Sequence, residues 1–235
     1  MKILALDTST EYLSLCLWLD GAIHERNLLA GQSHSQQILP LLRGLLSEAK
    51  VELHDLDGIA FGAGPGSFTG LRIGCGVAQG LAFGANLPVI GISTLLALAH
   101  GTLTKNTVAT RVIACLDARM GEVYHAAYAR SGEAWDEISA PGLYKPDAVP
   151  ALPGAEWVGA GSGWATYGDA LKACYKEQIG LILPTEFPHA TTMAELAAPL
   201  FAQGLGVPAA QAAPIYIRNK VALKTSERAA GLRFN

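Results

Sequence analysis

Charged residues are scarce in this chain of 235 residues: aspartate, glutamate, lysine and arginine together make up 16%, against about a quarter in an average soluble protein. The formal net charge is −3, so the chain lacks the overall positive charge of a protein that wraps nucleic acid on its own. Apolar residues make up 50%. This composition indicates a compact protein with a sizeable core, part of whose apolar surface is buried against a partner.

Cysteine pairs and long apolar runs are also missing. The four cysteines, Cys16, Cys75, Cys115 and Cys174, form no CxxC motif, which argues against a zinc ribbon or a disulfide framework. Asp7 interrupts the N-terminal apolar run early, and no later run is long enough to cross a membrane without polar residues. We expect a protein of the reducing cytoplasm with no membrane partner.

Recognisable signatures of catalytic chemistry are absent as well. The chain contains no HExxH zinc motif and no paired Ser, His and Asp motif for nucleophilic catalysis. Asp7 ends a predicted strand beside several hydroxyl residues, where it could act as a general base or simply cap the turn. We predict no metal, no cofactor and no catalytic residue.

What the sequence does contain is a glycine-rich stretch, GAGPGSFTGLRIG, at residues 62–74. A buried strand is predicted before it and a helix, 68–85, after it. Such a loop points free backbone amides at whatever lies above it. No lysine lies between Lys50 and Lys105, which excludes a P-loop, and Thr69 stands where the dinucleotide fingerprint needs its third glycine. A tight, capped turn is the alternative to an anion site.

Two series of glycines spaced four residues apart occur along the predicted helix 68–85, Gly70 with Gly74, and Gly76 with Gly80 and Gly84. Each interior glycine costs a helix about 1 kcal/mol relative to alanine, so several of them imply a compensating contact, such as another helix packed very close.

The helix predicted at 33–49, with Ser33 and Gln36 as a capping box, has an apolar face broader than one sheet requires. We predict that both helices bind a partner, with packing inside the same chain as the alternative. The predicted interface residues are Ser33, His34, Leu39, Leu42, Gly70, Gly74, Val77, Gly80, Leu81 and Gly84.

The N-terminal pattern recurs near the middle of the chain. Residues 113–117, IACLD, repeat the register of residues 3–7, ILALD, and a turn and a returning strand follow each copy. This repetition predicts an internal duplication. We expect two similar α/β lobes, at residues 1–105 and 106–235.

Several ordered motifs resemble the TsaB (YeaZ-type) family, and the resemblance covers most of the chain. They are ILALDTST at 3–10, HSQQILPLL at 34–42, GAGPGSFTGLRIG at 62–74, PVIGISTLLALA at 88–99, DARMGEVY at 117–124 and PIYIR at 214–218. The resemblance implies two tandem lobes of the actin, Hsp70 and sugar-kinase superfamily. In that ribonuclease H-like α/β fold, each lobe is a mixed β-sheet with flanking helices.

The resemblance also implies a function. Proteins of this family look like degenerate relatives of the catalytic subunit TsaD, which they bind and support together with the ATPase TsaE. That assembly transfers threonylcarbamoyl from its adenylate to N6 of adenosine 37 in tRNAs that read codons starting with A. By this resemblance the chain is a non-catalytic subunit that pairs with TsaD through its first-lobe helices, forms a homodimer when alone, and meets tRNA through the complex. An ATP-dependent kinase or carbamoyltransferase acting on its own is the alternative.

The turns that would hold a nucleotide in an actin-like protein depart from what that chemistry requires. Such a clamp needs an acidic residue followed by small, glycine-containing turns in both lobes, so that backbone amides reach the phosphates. The first-lobe turn has hydroxyls but no glycine, and the second-lobe turn contains two bulky side chains. We predict a vestigial site, with weak nucleotide binding through Arg119 as the alternative. Its residues are Asp7, Thr8, Ser9, Thr10, Asp117 and Arg119.

The last segment, residues 218–235, concentrates positive charge. Its charged residues are Arg218, Lys220, Lys224, Arg228 and Arg233 against Glu227 alone. Such a segment could contact tRNA phosphates or an acidic partner, or be a solvated tail.

Overall fold

The computed structural model describes residues 1–104 and 109–218. Its strands are β1 Lys2–Asp7, β2 Tyr12–Leu19, β3 Ala22–Leu29, β4 Gly58–Gly64, β5 Pro88–Ser93, β6 Arg111–Arg119, β7 Glu122–Ser131, β8 Ala134–Tyr144, β9 Trp157–Ala160, β10 Ile179–Leu183 and β11 Val207–Pro208. Its α-helices are α1 His34–Ala49, α2 Phe68–Ala85, α3 Thr94–Gly101, α4 Ser162–Tyr175 and α5 Ala190–Ala202. None of these helices is long and apolar enough to cross a membrane.

The two β-sheets share one plan. The first has the strand order β11-β5-β4-β1-β2-β3 and the second has the order β10-β9-β6-β7-β8. In each sheet an antiparallel meander of three strands is followed by two strands that run parallel to the first strand of the meander. The predicted duplication and the two-lobe, actin-like α/β fold are therefore confirmed.

Alternating side chains of β1 separate two layers of helices. Leu4 and Leu6 point into a core cluster shared with α1 and α2, whereas Ile3 and Ala5 point into a cluster shared with α5. The period of two along the strand produces this division. As a result, α1 and α2 lie on one face of the first sheet, and α5 covers the other.

The start of α1 differs from the sequence-based prediction. The helix begins at His34, and the predicted capping box between Ser33 and Gln36 does not form, because the Ser33 side chain makes no capping hydrogen bond. Its Oγ instead donates to the carbonyl oxygen of Ala30 at 2.6 Å. Ser33 therefore stabilises the preceding turn.

The lobes are not two consecutive segments of the chain. After the second sheet is complete, α5 returns to pack on β1, β2 and β4, and β11 pairs with β5 at the edge of the first sheet. Ala209 and Ala212 also belong to the first-lobe core. The boundary expected at 105/106 lies outside the described residues, and assigning everything after it to the second lobe is wrong for 190–212.

Helix α3 joins the two lobes. Its Leu95 and Leu98 belong to the second-lobe core, whereas Ala97 belongs to the first-lobe cluster under α5. At the end of α3, Nδ1 of His100 accepts a hydrogen bond from Nε1 of Trp135 in β8 at 3.0 Å. The other ring nitrogen, Nε2, lies 3.1 Å from Oε2 of Glu195 in α5. One imidazole thus connects three elements from both lobes.

Candidate partner-binding surface and the closed nucleotide turns

The outer sides of α1 and α2 form an exposed surface that carries apolar side chains and bare backbone. Leu39 is 48% exposed and Phe83 is 81% exposed. Gly76, Gly80 and Gly84 are open, since a β-carbon built on any of them would meet no atom within 4 Å. We call these five residues the α1–α2 face. Its glycines leave the backbone of α2 uncovered, which would allow another helix to approach closely.

Four predicted interface residues lie inside the lobe instead. His34 and Leu42 of α1 are buried, and the imidazole Nε2 of His34 lies 3.2 Å from the carbonyl oxygen of Tyr12. Gly70 and Gly74 lie on the buried side of α2. The prediction that these four contact a partner is therefore corrected. Ser33, Val77 and Leu81 are half-buried and remain predicted interface residues.

The two buried glycines make room for the turn after β1. A β-carbon on Gly70 would lie 1.9 Å from the carbonyl oxygen of Thr8, and one on Gly74 would lie 2.7 Å from the Thr8 hydroxyl oxygen. That hydroxyl donates to the carbonyl oxygen of Gly70 at 2.7 Å. Packing within the chain, the alternative considered for the glycine series, explains these two positions.

A cluster beside the start of α2 was not predicted from the sequence. The guanidinium carbon of Arg72 lies 3.9 Å from the centroid of the Phe68 ring, and its Nε donates to the Tyr216 hydroxyl at 3.0 Å. Phe68 and Tyr216 are 44% and 42% exposed. The spacing of four between Phe68 and Arg72 was a usable signal, but nothing local indicated that Tyr216 lies beside them.

The first-lobe turn is closed by hydrogen bonds to its own neighbours. Oδ2 of Asp7 accepts from the Ser9 amide at 3.2 Å and from the Ser9 hydroxyl at 2.8 Å. The Thr10 hydroxyl accepts from the Tyr12 amide, and the Ser9 carbonyl accepts from the Ser67 amide of the glycine loop. The hydroxyls expected to face a nucleotide are therefore engaged within the chain.

The Asp7 carboxyl is shielded from solvent. The side chain is 1% exposed, its Oδ1 has no hydrogen-bond partner, and a β-carbon on Gly62 would lie 1.9 Å from that oxygen. Burial raises the pKa of the Asp7 carboxyl to about 7, and the hydrogen bonds from Ser9 and Thr8 only partly oppose that shift. Because the group has no access to a substrate, it does not fit the role of general base considered for it.

The second-lobe turn is held by hydrogen bonds within the chain, because the Arg119 amide donates to Oδ1 of Asp117 at 2.8 Å. Arg119 and Met120 both have positive φ angles, 62° and 58°, and Arg119 pairs with Asp117 at 3.1 Å. Arg218 stabilises the same turn, since its Nη2 donates to the Arg119 carbonyl at 3.5 Å and to Glu122 Oε2 at 2.5 Å. This arrangement engages the Arg119 amide, one of the backbone groups that a nucleotide clamp would expose, while the side chains of Arg119 and Met120 themselves stay exposed. The other basic residues of the tail, Lys220, Lys224, Arg228 and Arg233, lie outside the described residues.

Neither lobe offers an evident metal site in its described part. No group of three or more His, Cys, Asp or Glu side chains is arranged to hold a metal ion there. The most buried histidine, His125, has a pKa lowered to about 4 by burial. Its Nε2 lies 2.7 Å from the Tyr175 hydroxyl, which identifies it as a core side chain.

Comparison with known proteins agrees with this architecture. Residues 28–231 match the family described as "TsaD: tRNA N6-adenosine threonylcarbamoyltransferase". The "tRNA threonylcarbamoyladenosine biosynthesis protein TsaB" of Escherichia coli K12 is 44% identical over 95% of this chain and 97% of its own length. The protein of the same name from Haemophilus influenzae is 40% identical over 95% and 96%. The solved structure of YeaZ from Pseudomonas aeruginosa matches with a TM-score of 0.81 and 39% identity, covering 92% of this chain and 99% of the other.

Proposed function

This chain belongs to the TsaB (YeaZ-type) family, and we propose that it acts in the biosynthesis of threonylcarbamoyladenosine in tRNA as a non-catalytic partner subunit. In this proposal it binds TsaD through the α1–α2 face and supports the transfer of threonylcarbamoyl to N6 of adenosine 37, together with the ATPase TsaE. It works in the cytoplasm, meets tRNA through the complex and pairs with itself when TsaD is absent. The names of its relatives support the pathway.

The observation that carries the proposal is the row of open glycines on α2. Gly76, Gly80 and Gly84 each weaken the helix by about 1 kcal/mol relative to alanine, and none of them makes room for another part of the described chain. A helix from a second protein would use that room. Leu39 and Phe83 would then lose most of their exposure, which supplies the apolar contribution to binding.

A supporting role without catalysis fits the state of both turns. A phosphate-binding turn must offer free backbone amides, whereas here Asp7 is buried at the first turn and the Arg119 amide of the second turn donates to Asp117. Arg218 holds that second turn in place. The chain has kept the two-lobed architecture of the superfamily and has used these positions for internal contacts.

Reconstitution of tRNA modification tests the proposal. TsaD and TsaE would be supplied with the threonylcarbamoyl adenylate donor and an unmodified tRNA, with and without this chain, and the modified nucleoside would be measured by mass spectrometry. We expect modification to depend on the chain. Equal yields without it would refute the supporting role.

Calorimetry with Mg-ATP on the isolated chain tests the absence of an activity of its own. The occupied turns lead us to expect neither saturable binding nor turnover. Tight binding accompanied by ATP hydrolysis would instead favour an ATP-dependent kinase or carbamoyltransferase. An Arg119→Gly variant serves as a comparison, because it removes a bulky, exposed side chain from the second turn.

A further inference from the structure

The two helices that carry the α1–α2 face have an unbalanced set of charges. Arg72 is the only charged residue of α2, and α1 contains Arg43 and Glu48. Glu48 already pairs with Arg26 of β3. The acidic residues that follow α1, Glu52 and Asp55, both lie within ion-pair distance of His54. Neither helix therefore offers an uncommitted carboxylate.

Arg72 lies in line with the open glycines. Gly76, Gly80 and Phe83 follow it at intervals of four, eight and eleven residues, which places all four side-chain positions on one side of a helix. A helix that packs on the glycines would therefore also approach Arg72 and remove water from it. A buried guanidinium without an acidic partner is costly.

The guanidinium is held ready for such a partner. The Phe68 ring supports it from one side and the Tyr216 hydroxyl accepts from its Nε. Among the described residues, Arg72 takes part in no salt bridge. Little side-chain freedom would be lost on pairing, and the planar end of arginine suits a carboxylate that binds through both oxygens.

We infer that the α1–α2 face selects a helical protein partner that places a carboxylate opposite Arg72, and that this charge favours such a partner over a second copy of this chain. The inference rests on the proposed function, because it concerns the same surface. In a two-fold homodimer the same two helices would meet. They would present Arg43 and Arg72 again, with Glu48 already committed to Arg26, so self-association would leave Arg72 poorly matched.

The test compares two associations of the full-length chain. Binding to TsaD would be measured by calorimetry and self-association by sedimentation equilibrium, each at low and high salt. The variants are Arg72→Gln, which removes the charge, and Arg72→Lys, which keeps the charge but loses the planar end. Lys172→Gln on α4 of the second lobe is the matched control, since it removes an exposed cation far along the sequence from this face.

We expect Arg72→Gln to weaken TsaD binding by about ten-fold or more and to reduce its salt dependence. Self-association of that variant should be unchanged or tighter. Arg72→Lys should bind TsaD with intermediate strength, and Lys172→Gln should behave like the wild type. Urea unfolding of each variant checks that the fold is intact.

Two results would overturn the inference alone: unchanged TsaD binding by Arg72→Gln, or a parallel loss of TsaD binding and self-association. If the wild-type chain failed to bind TsaD at all, the proposed function would fail and this inference with it. The two failures are thus distinguishable.

Discussion

The carbonyl oxygen of Thr8 occupies the place where a side chain on Gly70 would have to begin, 1.9 Å from the position of an ideal β-carbon. The loop between β1 and β2 and the first turn of α2 therefore touch through bare backbone. Glycine is required at position 70 for the fold of the first lobe, whatever the partner.

Gly70→Ala should therefore destabilise the protein severely. The added methyl group must push the turn after β1 away from α2, and we expect the free energy of unfolding to fall by about 3 kcal/mol or more, measured by urea unfolding. Gly76→Ala is the matched control on the same helix. Its β-carbon would meet no atom, so alanine should stabilise the chain by up to about 1 kcal/mol. Similar effects of the two substitutions would contradict this difference between the glycines.

Gly80→Leu should prevent association while leaving the fold intact. Its side chain would project from the α1–α2 face into the space that a partner helix needs. Light scattering should report a loss of dimer mass, and copurification with TsaD should fail. Gly168→Leu on α4 is the control, because a β-carbon there also meets no atom. It should leave the dimer mass and the copurification with TsaD unchanged. Gly74→Arg, which the sequence alone would suggest for the same purpose, is unsuitable because Gly74 packs on Thr8.

Asp7→Asn should stabilise the protein by an amount that grows with pH. The ordinary pKa of the carboxyl is 3.8 and the folded value is about 7, so between these limits the folded state holds a proton that the unfolded state has released. The wild-type stability contributed by this group therefore falls as pH rises from about 4 to about 7 and then levels off. The Asp7→Asn variant lacks this dependence. Its free energy of unfolding should therefore exceed that of the wild type by up to about 4 kcal/mol at pH 7 and above.

Urea unfolding at a series of pH values measures this gain. Asp136→Asn, on an exposed position of β8, serves as the control and should show little change. A gain for Asp7→Asn that stays constant between pH 4 and 7 would contradict the assignment of a buried, protonated carboxyl.

Trp135→Phe should weaken the connection between the lobes. The substitution removes the N–H that donates to Nδ1 of His100 and should lower the free energy of unfolding by about 1 kcal/mol. A double-mutant cycle with Glu195→Gln should give a coupling energy of at least about 0.5 kcal/mol, because both side chains act through the same imidazole. Strictly additive effects would argue that the two contacts are independent.

Much of the fold could be predicted because the relevant patterns are local. The period of the strands and the repeat of residues 3–7 at 113–117 were sufficient to predict two similar α/β lobes. Of the predicted interface residues, Leu39, Gly80 and Gly84 are exposed as the docking hypothesis requires, and their contact with a partner stays a prediction.

The remaining features depend on contacts between distant parts of the chain. Gly70 and Gly80 look alike in a helical pattern, and only the turn at Thr8, which lies 62 residues from Gly70, distinguishes them. Tyr216 joins Arg72 across 144 residues. The return of α5 to the first sheet was invisible for the same reason, because its apolar residues would suit either lobe.

The late return of α5 and β11 has a consequence for biosynthesis of the protein. While the ribosome is still making the second sheet, Ile3, Ala5 and Ile90 lack most of their helical cover, since Met193 and Ala197 of α5 join Ala97 of α3 in that cluster. A nascent chain in that state exposes apolar surface and leaves the edge of β5 unpaired. The first lobe is therefore complete only after residues 190–212 have been made, long after most of its sheet has emerged.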